Sequence, residues 1–225
     1  MFNNMTIKSR LVLVIGMLSV LLVSIGALGL YGINQSNDGL KTVYEDRTVV
    51  LADLGLVLDR MHRVRINTVM ASNMNDVGIA RQRNAMTAER DAEINATWQK
   101  FMSTILTPEE EKLANTFANQ WPIYKESRDR TMSLAMAGNF EAAVANETSD
   151  AGQKFDAVHA TMLSLIELQA MVAGKEYAEA VDNFNSVFMI TSVAVGLGVI
   201  LAIVIGMLLI RAIVGPLNEA IGVAN

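Results

Sequence analysis

Two kinds of hydrophobic pattern divide the chain. From Leu11 to Ile33 it runs for 23 residues without a charge, and from Ser186 to Ile210 for another 25. Between them lie 152 residues, Asn34 to Asn185, whose apolar positions recur at helical spacing among polar ones. A helix rises about 1.5 Å per residue, so roughly 20 apolar residues cross a hydrocarbon layer about 30 Å thick. Both uncharged runs are long enough to span a membrane with some tilt. A cleaved signal peptide is the alternative for the first, because Lys8 and Arg10 precede it. Its length exceeds the usual apolar core of about 7–15 residues, and no small-residue cleavage pattern ends it, so a retained anchor is expected.

The intervening segment holds only two prolines, Pro108 and Pro122, and is dominated by Ala, Leu, Met, Glu and Arg, all good helix formers. Four helices are predicted. The first continues from residue 34 to about Ser72 and ends at the polar break Asn73–Gly78. The second runs from about Ile79 to Ile105. The third starts where Thr107 offers an N-cap, Pro108 fits the first helical position and Glu109, Glu110 and Glu111 fill the first turn. It ends near Ala137, and Pro122 inside it is expected to kink it. Gly138-Asn139 forms the next turn. The fourth helix runs from Phe140 through Asn185 directly into the second apolar run. Short connections make neighbours antiparallel, so the expected fold is an all-α, up-down-up-down four-helix bundle continuous with two transmembrane helices.

Helical spacing also selects residues with inward-facing charge. Leu54, Leu58, Met61, Arg65, Thr68 and Ser72 share one face of the first helix, and Leu113, Phe117, Trp121, Tyr124, Arg128, Thr131 and Ala135 share one face of the third. Arg65 and Arg128 are the charged intruders. Arg83, and less cleanly Arg90, fall on the second helix's inner face. Counted from the distal turns at about 1.5 Å per residue, Arg65, Arg83 and Arg128 stand at one height, roughly 12–15 Å below the tip. The same height on the fourth helix falls at Thr148 and Ser149. Buried unpaired arginines are costly, and few inward acids are expected at this level. A guanidinium grips carboxylate through two parallel hydrogen bonds, so the expected ligand is a small di- or tricarboxylate held by Arg65, Arg128, Arg83, Tyr124 and Thr148. The competing reading is that the arginines pair with acids such as Glu89, Asp91 or Asp129, and that Trp121 and Tyr124 simply pack.

Charge and composition narrow the field further. With Lys8, Arg10, Arg211 and Glu219 set aside, the outer segment has 15 basic and 22 acidic residues, which gives no reason to expect nucleic acid as a partner. Lys8 and Arg10 before the first run and Arg211 after the second predict both ends in the cytoplasm and the segment between on the outer side, the periplasm in a cell with two membranes. Cysteine is absent, so disulfides and thiolate chemistry are excluded. His62 and His159 show no metal-ligand spacing, and Gly174-Lys175 lacks the rest of a phosphate loop. No nucleophile–base arrangement is found, and neither an enzyme nor a cofactor is expected.

After the second apolar run comes Arg211-Ala-Ile-Val-Gly-Pro-Leu, followed by an amphipathic start through Asn225. This resembles the first helix of a HAMP linker. Four outer stretches, Gly39–Arg47, Arg63–Asn67, Leu106–Glu111 and Ala137–Ala143, resemble the sensor domain of methyl-accepting chemotaxis proteins. The expected division is then a cytoplasmic start over residues 1–10, spans over 11–33 and 186–210, a periplasmic ligand-binding bundle over 34–185, and a linker start over 211–225. The resemblance implies a bacterial inner-membrane receptor that forms a homodimer, with a trimer as the alternative. It also implies a cytoplasmic kinase and adaptor complex reached through a region beyond Asn225, with Arg211 and Pro216 carrying the signal. It does not separate a chemoreceptor from a sensor kinase or nucleotide cyclase with the same input, or from a receptor read by a periplasmic binding protein.

Overall fold

The computed structural model describes residues 6–223. The side chains of a few residues inside helices, Pro216 among them, lie outside the described set, as do residues 1–5, 224 and 225. The described elements are all helical: α1 (Ile7–Thr42), α2 (Val49–Asn73), α3 (Val77–Met102), α4 (Pro108–Met136), α5 (Phe140–Asn146) and α6 (Gly152–Val223). Two short π-helical segments, Val43–Thr48 and Glu147–Ala151, join α1 to α2 and α5 to α6 without leaving helical backbone conformation. The fold is therefore the expected all-α bundle of four continuous helices.

The helix ends follow local chemistry. Thr107 and Glu110 form a reciprocal capping box at the start of α4: Glu110 N–H donates to Thr107 Oγ1 at 3.3 Å and Thr107 N–H to Glu110 Oε2 at 2.6 Å. Asp76 caps α3 by accepting from Ile79 N–H at 3.0 Å, just after Asn75 turns the chain at φ +52°. At the end of α4, Gly138 takes φ +80°, while its N–H and that of Asn139 bond the Ala135 and Leu134 carbonyls at 3.0 and 2.9 Å. That is a Schellman ending, which favours glycine because a side chain resists positive φ. α4 continues through Pro122, which lies on the exposed face.

The chain divides into two compact units. In Lys41–Tyr177 the larger core is built from Val50, Leu54, Val57, Met61 and Val64 of α2, Ile94 and Phe101 of α3, Phe117 and Tyr124 of α4, and Phe155, Val158, Met162 and Leu165 of α6. A smaller cluster, Ala71, Ala80, Met132, Ala135 and Ala143, lies beneath the turns at Met74–Asp76 and Ala137–Asn139. The residues between the clusters are polar. The other unit holds the two apolar runs. Each is long and apolar enough to cross a membrane, and large side chains such as Leu22, Val23, Leu30, Phe188, Met189 and Leu197 are exposed. A core helix of a water-soluble protein would bury them; lipid is the solvent they suit. Within this unit Gly198 and Gly32 admit close approach, since a Cβ there would stand 2.8 Å from Leu21 Cδ2 and 2.5 Å from Val187 Cγ1.

Candidate functional site

The polar layer between the two clusters draws on every helix of the bundle. α2 contributes buried Asn67, Thr68 and Ser72, α3 buried Thr87 with half-buried Arg83 and Asp91, and α4 buried Ser127, Arg128 and Thr131. The second π-helical segment adds Glu147, only 3% exposed. Two charged pairs define the layer.

Arg128 is fully engaged. It forks onto Asp91, with Nη1 to Oδ1 and Nη2 to Oδ2 both 2.8 Å, and also donates from Nε and Nη2 to Asp129 Oδ1 at 2.9 and 2.7 Å. Burial opposes its charge, but the carboxylates of Asp91 and Asp129 outweigh that and hold its pKa above the ordinary value.

Arg65 is held differently. Its guanidinium lies over the Phe155 ring, 5.5 Å from the centroid, and Nη1 is in ion-pair contact with Glu147 Oε1. Neither Glu147 oxygen is aligned for a hydrogen bond. Burial pushes the Glu147 carboxyl up to about 7, against the opposing pull of Arg65. Gly152 makes room for this pair, since a Cβ there would stand 3.0 Å from Arg65 Nη2 and 3.0 Å from the Glu147 carbonyl oxygen. Next to it, the fully buried Tyr124 hydroxyl has no well-aligned hydrogen bond. Thr68 is its polar neighbour, with a hydroxyl that donates to the Val64 carbonyl at 2.9 Å and keeps its lone pairs free to accept from the phenol. Burial moves the phenol above its usual range, with Arg128 pulling the other way. Arg83 reaches Asn67 Oδ1 at 3.4 Å through Nη1, while its Nε and Thr87 Oγ1 are buried without partners.

The structure thus gathers Arg65, Arg83, Tyr124 and Arg128 around one layer, as the spacing predicts, and departs from the sequence reading in two respects. Inward acids are present: Asp91 and Glu147 face the arginines, so the expectation of few acids at this level is corrected. Thr148 stands at the expected height but is exposed, its hydroxyl spent on the Val144 and Ala145 carbonyls at 2.9 and 3.2 Å. Its neighbour Glu147 takes the inward position, because the π-helical segment changes the phase of the helix just there. Counting back from Phe155 in steps of four reaches Ala151 and Glu147, and that signal was available in the sequence.

A second polar node lies at the opposite end of the bundle and was not foreseen. Arg47, on the first π-helical segment, forks onto Glu176 with Nε to Oε2 at 3.0 Å and Nη2 to Oε1 at 2.7 Å. Its Nη1 reaches Glu110 Oε1 at 3.1 Å and Gln169 Oε1 at 3.5 Å. Glu110 is fully buried and serves twice, capping α4 with one oxygen and pairing Arg47 with the other. Three further arginines sit in more exposed pairs: Arg63 with Asp59, Arg60 with Asp59 and Glu93, and Arg90 with Glu93 at 2.5 Å. His62 and His159 come together with ring centroids 4.8 Å apart. Among the described residues no group of three or more His, Asp or Glu is placed to hold a metal.

Residues 4–184 match the family described as a four helix bundle sensory module for signal transduction. No curated protein matches the sequence. The match covers most of the chain, which belongs to this family, the sensory module of methyl-accepting chemotaxis proteins. Such modules serve signal transduction in chemoreceptors, a sensory rather than catalytic task that implies a membrane setting and signalling partners.

Proposed function

We propose that this chemoreceptor module binds a small organic acid, a di- or tricarboxylate, in the outer half of its bundle and passes a conformational signal through the second span to a HAMP-type linker. The observation that carries the reading is the polar layer itself. Arg83 Nε and Thr87 Oγ1 are buried there without partners, the Tyr124 hydroxyl is buried beside them, and Arg65 is held by Glu147 in an ion pair without an aligned hydrogen bond. Native cores rarely leave such groups unpaired, and each costs about 1–3 kcal/mol. An acid with two or more carboxylates offers the acceptors these donors lack. Arg128 then serves chiefly as an anchored neighbour, because Asp91 and Asp129 already neutralise it.

The proposed arrangement places residues 11–33 and 186–210 in the inner membrane, residues 34–185 in the periplasm and both ends in the cytoplasm. Support comes from the two exposed apolar runs, the basic residues Lys8 and Arg211 at their cytoplasmic flanks, and the unbroken course of α6 to Val223. Arg211, which is exposed, and Pro216 then mark the exit into the linker. A ligand shifts the receptor only as far as its affinity differs between two states of the bundle. The working unit is a homodimer, with a cytoplasmic kinase and adaptor complex as the recipient of the signal.

The test is calorimetric titration of the full chain in lipid nanodiscs with malate, succinate, citrate, aspartate and benzoate. Saturable heat with one acid, lost in Arg65→Ala, supports the site. No heat with any of them in folded protein defeats direct sensing of these acids, and favours a receptor read through a periplasmic binding protein.

A further inference from the structure

We propose that Glu147 is a built-in competitor for the ligand's carboxylate: in the ligand-free bundle it occupies Arg65, and an arriving acid takes its place while Glu147 leaves as the neutral acid. The inference rests on the organic-acid reading above and adds to it a residue that controls affinity and pH response. Three observations meet at this side chain. It is an almost fully buried carboxylate whose partner is the guanidinium proposed to hold the ligand. Neither of its oxygens accepts an aligned hydrogen bond, so among the described residues the Arg65 ion pair is its one compensation. It sits on a π-helical segment, where one turn can revert to α-helical pairing and turn the carboxyl off Arg65 while it stays within the layer. Arg128 shows the contrast, since its carboxylates hold it by four hydrogen bonds and leave nothing to exchange.

The proton balance follows. The charged and titratable groups of the layer are Arg65 from α2, Arg83 and Asp91 from α3, Tyr124 and Arg128 from α4, and Asp150 on the same segment as Glu147. Asp150 is drawn to Lys154 and Ser127, and Asp91 to Arg128. Glu147 is the group held near neutrality, at about 7. An incoming carboxylate beside Arg65 places a second negative charge against Glu147, which then takes one proton from solvent. Binding is accordingly tighter at low pH and takes up close to one proton at high pH.

The experiment is calorimetry of malate binding to the full chain in nanodiscs, from about pH 6.5 to about pH 8.5, in two buffers of different ionisation enthalpy. Malate remains fully ionised throughout. Wild type is expected to lose on the order of tenfold in affinity across that range and to take up about one proton per malate at the upper end. Glu147→Gln, which keeps the shape of the side chain, is expected to bind more tightly at high pH, with little pH dependence and no proton uptake. Aspartate is the control titrant. If Glu147→Gln weakens aspartate alone, the carboxylate contacts the ligand's ammonium and the competitor proposal is overturned. Malate binding with no pH dependence in wild type overturns it too, while leaving the organic-acid site standing. If succinate or citrate binds in place of malate, the same two-buffer comparison applies to it, and no binding of any of these acids by either protein at any pH defeats both readings.

Discussion

The two π-helical segments each carry a buried charge into the bundle, and they treat it in opposite ways. Arg47 at the inner end meets two carboxylates and an amide, with its fork onto Glu176 at ordinary hydrogen-bond distances. Glu147 at the outer end meets one guanidinium and has no aligned hydrogen bond. A satisfied buried network fixes geometry, whereas an under-satisfied one stores a preference for a different arrangement. The inner node, satisfied apart from Gln169 Nε2, therefore reads as a structural clasp that ties the first π-helical segment, α4 and α6 together, and the outer layer as the place where a ligand changes the energetics.

The largest effect should come from breaking the clasp. Arg47→Ala leaves Glu110 fully buried with its charge uncompensated on one oxygen, and removes the fork that holds Glu176. Removing one partner of such a pair costs about 3–5 kcal/mol. Thermal unfolding followed by near-ultraviolet circular dichroism should show a lowered midpoint. An unchanged midpoint would mean that the clasp contributes nothing and that the contrast between the two nodes is false.

The outer layer should respond with the opposite sign. The Glu147 pKa is raised from 4.5 to about 7 in the folded state. Below the unfolded value both states are protonated and the full stability is present. Stability then falls as pH rises through the folded value, by about 3 kcal/mol between pH 4.5 and 7. Glu147→Gln should remove that dependence and stabilise the protein at pH 8, by less than the full amount because Arg65 loses its ion pair. Chemical denaturation at pH 5 and pH 8 measures both. A wild type that grows more stable over this range, with other groups controlled by the variant, would contradict the assignment.

These nodes also show what the sequence could and could not reveal. The face of α4 from Phe117 through Trp121, Tyr124, Arg128 and Thr131 to Ala135 follows from spacing alone, because a capped helix with a regular apolar stripe keeps its phase. On α2 the predicted stripe through Leu54, Met61 and Thr68 is buried, but Val57 and Val64 lie at its centre, while Leu58 and Arg65 lie at its edge. The apolar stripe cannot tell a central position from a flanking one when both flanks carry long side chains. No residue type announces an i to i+5 turn, so the π-helical segments leave no signature in the sequence, although counting back from Phe155 in steps of four still reaches Glu147. The partnership of Arg47, Glu110 and Glu176 spans three helices and has no local trace in the sequence.

A smaller effect is expected at Gly152. An alanine gains about 1 kcal/mol in helix propensity over glycine. Here its Cβ would press on the Glu147 carbonyl oxygen and on Arg65 Nη2, each 3.0 Å away. Backbone on one side cannot yield cheaply, so Gly152→Ala should end slightly destabilising, by about 1 kcal/mol, against the propensity trend. A stabilised variant would show that the π-helical turn yields at little cost, and would weaken the view that Gly152 shapes the Arg65–Glu147 contact.

The smallest effect falls on the residue that spacing singles out on this helix. Thr148 is exposed and its hydroxyl bonds only to carbonyls of its own helix. Alanine there loses no tertiary contact and gains slightly in helix propensity, so stability should stay within about 0.5 kcal/mol of wild type. Malate affinity should also be unchanged, whereas Glu147→Gln, one residue away, should alter both affinity and its pH dependence. Adjacent positions then give opposite answers, which directly tests the helix phase set by the π-helical segment. If Thr148→Ala reduces malate affinity as much as Arg65→Ala does, the segment turns inward by one residue in the bound state, and Thr148 rather than Glu147 faces the ligand.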